Sequence, residues 1–336
     1  MAEANLQVQL ARQPEGVPKV TDFQVIKAER PTPGAGQFLL RNIYLSLDPY
    51  QRGAIAGRHM GHVRLNPGDV IYGRCLGEVI ESKHPDYRVG DHVLTESGWQ
   101  QFFVSDGTKA RKIKADAPLS AYLGALGMPG LTAWAGVEKL GSPRIGETFV
   151  VSAAAGPVGA TAGQLAKAKG ARVVGIAGGD EKCRLVVDKF GFDACVNYKA
   201  ENWTDQLKAA CRNGIQVYFD NVAGPMLDAV TAQTTPYARI VLCGFASQHN
   251  RTDAWVGHNV GQFVGKRTQL HGLVVYDYEE QYGAFTKVAA QMLRDGKLAI
   301  HEDRIEGLEF APQLFVKLMK GDNVGKAIVV IGPEKL

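Results

Sequence analysis

The sequence predicts an α/β protein of two domains, a unit of short strands followed by a doubly wound parallel sheet of six strands. Three observations predict it. The first 120 residues fall into extended segments cut by proline and glycine. The middle of the chain alternates apolar strands with amphipathic helices. At 336 residues, the chain exceeds what one small core usually organises. Apolar residues make up 45% against 21% charged, with 39 glycines and 15 prolines, a balance suited to a buried core with tight turns and unlike a disordered or fibrous chain.

In chain order, FLLRNIYLSL (38–47), DVIYGRCLGEVIES (69–82), DHVLTES (91–97) and WQQFFVS (99–105) read as strands of an all-β or barrel-like unit. After LGMPGLTAWAGVEKLG (126–141) the strands become ETFVVSA (147–153), ARVVGIA (171–177), ACVNY (194–198), IQVYFDN (215–221), ARIVLCG (238–244) and QLHGLVV (269–275). Helical patterns lie between them. VGATAGQLAKAKG and DEKCRLVVDKFG each end at a glycine, where a left-handed C-cap is easily adopted. A longer helix is expected over 279–297, and from about residue 302 the chain returns to mixed β character, ending in GKAIVVIG and packing back onto the first unit.

The net charge of +4 is spread without a run of like charges, which excludes the footprint of a nucleic-acid binder. Five scattered cysteines with no CxxC pair fit reduced thiols, and hence a cytoplasmic protein, better than a disulfide framework. The opening MAEANLQVQLARQPEG has no basic region leading into an apolar stretch, and no apolar run approaches a membrane span, so neither secretion nor a membrane partner is expected.

The chemistry starts at FVVSAAAGPVGATAG, where an apolar strand runs directly into Gly156, Pro157, Val158 and Gly159 and a helical pattern follows. Glycines let the backbone turn sharply and approach a pyrophosphate, while the free N–H groups and dipole of the new helix attract its charge. The bland alternative is a tight strand-to-helix turn without a ligand. An NAD-selective site places an acid about 20 residues further on, at the end of the second strand, to hold the ribose hydroxyls. Here that strand ends in Gly178-Gly179, and Asp180 reads as a helix N-cap. Lys182 can reach a 2′-phosphate and Tyr198 can donate to the same group, so NADPH is expected over NADH.

Several separated motifs, YLSLDPYQRG (44–53), MPGLTAW (128–134), AAAGPVG (153–159), AGGDEKCR (177–184), NYK (197–199), DNVAG (220–224), LCGFASQHN (242–250), LHGLVVYDY (270–278) and GDNVGKAIV (321–329), resemble the zinc-independent branch of the medium-chain dehydrogenase/reductase superfamily. That branch holds prostaglandin and leukotriene reductases, plant double-bond reductases and bacterial curcumin reductase. The resemblance implies a GroES-like substrate domain over 1–124 and 302–336, a Rossmann domain over 125–301, and a homodimer. It also implies that Gly156 to Gly159 hold the pyrophosphate, that Lys182 and Tyr198 face the 2′-phosphate, and that Asn221 lies near the ribose or adjoining backbone. Cys243, Gly244, Phe245, Ala246 and Ser247, with Leu273, Val274 and Val275, would line the nicotinamide side, and Met128, Thr132 and Asn323 would close over the cofactor. Family tyrosines considered for proton handling fall here on Gly265 and His249.

No metal is expected: YGRCLGEV stands where a metal-dependent relative would carry a His-Glu pair, and His59, His62 and Cys75 form an incomplete ligand set. Without a Lewis acid, reduction of a C=C bond conjugated to a carbonyl remains feasible, because conjugation carries the charge to the oxygen. The expected partner is thus a small electrophile, an α,β-unsaturated ketone or aldehyde. By resemblance Tyr50 is the candidate catalytic donor, with Arg52 and His249 behind it; Tyr50 as a loop anchor is the equal alternative. A quinone reductase and a non-catalytic NADPH-binding protein are the rival readings. The loops around 50–65 and 249–268 are expected to set substrate choice.

Overall fold

The computed structural model describes residues 4–251 and 258–334. Two compact units form, one from the chain up to Leu123 together with the segment from Glu302 onward, the other from Gly124–His301.

The first unit opens with an antiparallel pair, β1 (Asn5–Leu10) and β2 (Phe23–Ala28). Its centre is β3 (Phe38–Ser46), eight of whose nine residues are buried. Helix α1 (Tyr50–Ile55) follows, then β4 (Cys75–Ser82), β5 (His92–Thr95), β6 (Phe102–Ser105) and β7 (Arg111–Lys112). The strand expected from residue 69 starts only at Cys75. Before it, Ile71 bonds to the backbone of Val8 and Trp99 outside any named strand pairing. The core rests on an aromatic trio in which Trp99 stacks on Phe23 at 5.6 Å and meets Phe315 edge-on at 5.5 Å.

The second unit begins with α2 (Met128–Ala135) and continues through β8 (Thr148–Ser152), α3 (Pro157–Ala168), β9 (Arg172–Ala177), α4 (Asp180–Asp188), β10 (Ala194–Asn197), α5 (Trp203–Ala210), β11 (Ile215–Asp220), α6 (Pro225–Thr231), β12 (Thr234–Leu242), α7 (Val260–Lys266), β13 (Gln269–Gly272) and α8 (Tyr282–Arg294). The six strands are parallel in the order β10-β9-β8-β11-β12-β13. The chain reverses direction across the sheet between β8 and β11, and ligands of such sheets bind outside the carboxyl ends of the strands at that point. β8 is buried at every position, as a strand covered on both faces must be.

Helices α3 and α4 are followed by glycines in the left-handed region, Gly170 (φ 83°) and Gly191 (φ 70°), as their sequences require. Other boundaries moved. β12 starts at Thr234 rather than 238: a register shift between its pairings at Ile215 and Val217 of β11 absorbs Pro236 and left-handed Tyr237. β13 stops at Gly272 instead of 275, because Val275 already begins a 3₁₀ turn that precedes α8.

The chain then returns to the first unit with β14 (Glu302–Glu306), α9 (Ala311–Lys320) and β15 (Lys326–Val330). β15 pairs antiparallel with β3 and parallel with β14. Helix α9, in a stretch read as mixed β, buries Leu314, Phe315 and Met319 on one face, a spacing that favours a helix. Among the described residues no helix is long and apolar enough to cross a membrane.

Candidate active site

At the carboxyl end of β8 the chain turns through left-handed Ala153 (φ 51°) into Gly156, the N-cap of α3, which carries no side-chain cap. The first N–H groups of a twelve-residue helix are therefore left for another acceptor. Gly159 has no alternative: a Cβ there would stand 2.5 Å from Ala153 O. Val158 packs at the edge of the core beneath the turn. Two further glycines, which sequence reasoning passed over, allow close packing, of α3 on Phe192 and of β9 on the turn after β8. A Cβ on Gly163 would lie 1.9 Å from the Phe192 ring, and one on Gly175 would lie 2.8 Å from Ala154 Cβ.

The next wall is the turn from β9 into α4. Gly179 has φ 106° and open space around it, and Gly178 lies under the Tyr198 ring, where a Cβ would come within 3.0 Å. Asp180 is not the N-cap. Gly179 takes that position, and Asp180 Oδ1 accepts from Asn197 Nδ2 at 2.8 Å. The same Asn197 accepts through Oδ1 from the Gly179 and Lys199 N–H groups. That amide, unmarked in the sequence reading, clamps β10 to the turn and occupies Asp180. Lys182, half-buried in the first turn of α4, and Tyr198, 41% exposed, flank the glycine pair.

At the switch point, buried Asp220 closes a knot. Its Oδ1 accepts from Ser152 Oγ (2.9 Å), Tyr218 Oη (2.8 Å) and the Val222 and Ala223 N–H groups. Asn221 donates its side-chain amide to Ser152 O at 2.8 Å, so that group is committed to backbone. The knot sets the following turn: Cys243 and Gly244 N–H bond to Asp220 O, Ala246 N–H bonds to Asn221 O, and Ser247 donates both N–H and Oγ to Val222 O. A Cβ on Gly244 would meet Asn221 O at 2.9 Å, which explains the glycine. Burial pushes the Cys243 thiol up to about 12, so it is a neutral packing group. Phe245 is 55% exposed and lies against His249, ring centres 5.1 Å apart. Leu273 is buried and its N–H continues the ladder to Leu242 O, with Val274 extended and Val275 opening the 3₁₀ turn. Thr132, buried in α2, donates to Met128 O at 2.8 Å and approaches its sulfur. Of the loop over 249–268, residues 252–257 lie outside the described residues.

The remaining candidates belong to the first unit. In LDPYQR, Asp48 is buried and receives Ser46 Oγ and, at 2.7 Å, Lys326 Nζ. Gln51 bonds to Ser46 O, Tyr72 O and the Asp48 N–H. The Arg52 guanidinium is buried and donates to Pro14 O and Gly16 O, in the segment between β1 and β2, which commits it to backbone. Those partners lie far away in sequence, which is why the motif alone did not separate the roles. Tyr50, half-buried at the start of α1, turns to the His59 and His62 rings, centroids 4.8 and 5.7 Å away. Burial, then His62, lowers the His59 pKa, so that ring is neutral near pH 7. Asn323 donates to Gly325 O, shaping the turn before β15. Cys75 is buried and donates to Gly98 O. Among the described residues no three His, Cys, Asp or Glu side chains gather as a metal site would require.

A glycine cradle at the switch point of a doubly wound sheet, in a chain that also folds a separate β unit, defines a dinucleotide-binding oxidoreductase. Residues 6–113 match the family described as the N-terminal domain of oxidoreductase, and residues 157–291 the family described as zinc-binding dehydrogenase. The chain is 42% identical to NADPH-dependent curcumin reductase of Escherichia coli, over 97% of this chain and 96% of that one. It is 40% identical to 2-alkenal reductase (NADP(+)-dependent) of Nicotiana tabacum, over 99% and 100%. The crystal structure of CurA in complex with NADPH from Vibrio vulnificus superposes with a TM-score of 0.93 at 39% identity, covering 98% of this chain and all of that one. The chain belongs to the medium-chain dehydrogenase/reductase superfamily, in the branch of prostaglandin, 2-alkenal and curcumin reductases, with a GroES-like unit and a Rossmann unit.

Proposed function

We propose that this protein reduces the C=C bond of α,β-unsaturated ketones and aldehydes with NADPH. The observation that carries the reading is a likeness near 40% identity, over nearly the whole chain, to relatives named for NADPH-dependent curcumin reduction and 2-alkenal reduction. The residues present fit the cofactor: an uncapped helix start behind Gly156, Pro157, Val158 and Gly159 for the pyrophosphate, and an open glycine turn flanked by Lys182 and Tyr198 for the 2′-phosphate. Asp180, the acid that could favour a free ribose hydroxyl, is tied to Asn197.

In this reading Met128, Thr132 and Asn323 close over the cofactor, Asn221 stiffens the ribose side, and Cys243 to Ser247 with Leu273 to Val275 line the nicotinamide side. Bound NADPH supplies the hydride. Tyr50 keeps its proton on Oη and donates a hydrogen bond to the substrate carbonyl oxygen, where conjugation gathers negative charge. His59, held neutral, orients the phenol by its tilted ring contact and adds no competing charge. We place the protein in the cytoplasm, consistent with five cysteines free of disulfides, and as a homodimer, as the family resemblance implies.

The test is oxidation of NADPH, with NADH in parallel, against 2-alkenals, aryl enones and quinones. Saturated ketone or aldehyde as product supports the proposal. Turnover of quinones alone would replace it with a quinone reductase, and tight NADPH binding without turnover would leave a binding protein.

A further inference from the structure

Five free cysteines populate the chain, and two of them meet. Cys183, in α4, and Cys195, in β10, place their sulfurs 3.1 Å apart, with the Cys195 thiol donating to Cys183 Sγ. Both are partly buried, packed at the edge of the core. Their surroundings leave room for approach: β10 pairs Cys195 with Gly175 of β9, whose missing side chain would otherwise press on the Cys195 sulfur at 3.3 Å. We propose that Cys183 and Cys195 are an oxidisable thiol pair, a modification site at which a hydroperoxide closes a disulfide on the wall of the cofactor cradle.

The donated hydrogen bond makes Cys183 the nucleophile, because it lowers that thiol's pKa and keeps the proton on Cys195. Cys75, Cys211 and Cys243 are each pushed up to about 12 by burial and stay inert. Cys183 sulfur attacks the terminal oxygen of the hydroperoxide, the O–O bond breaks, and the thiol proton leaves with the departing alcohol, giving a sulfenic acid. Cys195 sulfur then displaces that hydroxyl, its own proton completing a water molecule. Two thiols and one hydroperoxide become one disulfide, one alcohol and one water, with two electrons passing from sulfur to oxygen. The sulfurs need to close by about 1 Å to reach a bond length of about 2.05 Å.

The bond would tie α4 to β10 next to the residues assigned above to the 2′-phosphate. Lys182 precedes Cys183, and Tyr198 stands three residues after Cys195, in the turn clamped by Asn197. Oxidation therefore shifts NADPH affinity, and by linkage NADPH shifts the ease of oxidation. This coupling rests on the cofactor reading above; the disulfide itself does not.

Full-length protein treated with hydrogen peroxide, then alkylated and digested without reduction, is the test. The expected result is a single linkage between the peptides carrying Cys183 and Cys195, reversed by dithiothreitol and absent from Cys195→Ser, with the other three thiols alkylated. Oxyacids on Cys183 without a disulfide, or linkage through another cysteine, would overturn the site. Wild-type protein carries the measurement even if the variant folds poorly. Fluorescence titration of oxidised and reduced protein should then show NADPH Kd differing by about threefold or more, as expected if the bond changes the bound state's contacts. Equal values with the disulfide confirmed would remove the coupling alone. If Lys182→Ala also leaves NADPH binding untouched, the 2′-phosphate assignment of Lys182 fails independently of the thiol pair.

Discussion

Lys182 carries the sharpest expectation at the level of single side chains. A charge-assisted hydrogen bond is worth about 1.5 to 3 kcal/mol, so Lys182→Ala should weaken NADPH by that amount and leave NADH nearly unchanged, as calorimetric titration of both would show. Tyr50→Phe should lower kcat by about 10²-fold or more, the usual contribution of a positioned proton donor, with NADPH Kd preserved. An unaltered kcat would return Tyr50 to the role of loop anchor. Asp48 and Lys326 pose a different problem, a buried ion pair 2.7 Å long. Asp48→Asn strands the ammonium and should cost about 3 to 5 kcal/mol in urea unfolding, whereas Asp48→Asn with Lys326→Met together should recover most of it. The motif LDPYQR made Asp48, Tyr50 and Arg52 conspicuous. It did not say which face the substrate and which face the protein, since Arg52 and Asp48 are explained by Pro14, Gly16 and Lys326, partners that only folding brings near.

Among the elements, the strand-to-helix turn before α3 is the most constrained. Gly159→Ala would drive a methyl group to within 2.5 Å of Ala153 O, so the turn must open. The expected outcome is loss of NADPH binding together with a lower Tm, measured by titration and thermal melting; normal affinity would mean that the pyrophosphate sits elsewhere. Apolar alternation and terminal glycines made β8, β9, α3 and α4 legible almost to the residue. Prediction failed where a local signal was overruled. The strand was expected only from residue 238, yet β12 starts at Thr234 and runs through Pro236, which disfavours a strand, by means of a bulge. Helix α9 was hidden in a segment bounded by two β stretches, and its period of apolar residues becomes decisive only with Phe315 seen against Trp99 and Phe23.

For the whole molecule, a cofactor that binds only the folded chain stabilises it by about 2.7 kcal/mol at a hundred times its Kd. NADPH should therefore raise the Tm by several degrees, and NADH at the same concentration by much less; equal shifts would contradict the 2′-phosphate assignment. Fold class, the six-stranded parallel sheet and the glycine turn before α3 follow from the amino-acid order alone, because hydrophobic period, glycine placement and helix start signals act between residues close in the chain. Contacts across the fold decided the rest. Asn197 takes up Asp180, Asp220 on β11 draws in Ser152 of β8, and Cys183 meets Cys195. Hydrogen bonds and thiol contacts depend on atoms meeting within a few ångströms, and no spacing along the chain encodes which distant residue arrives there.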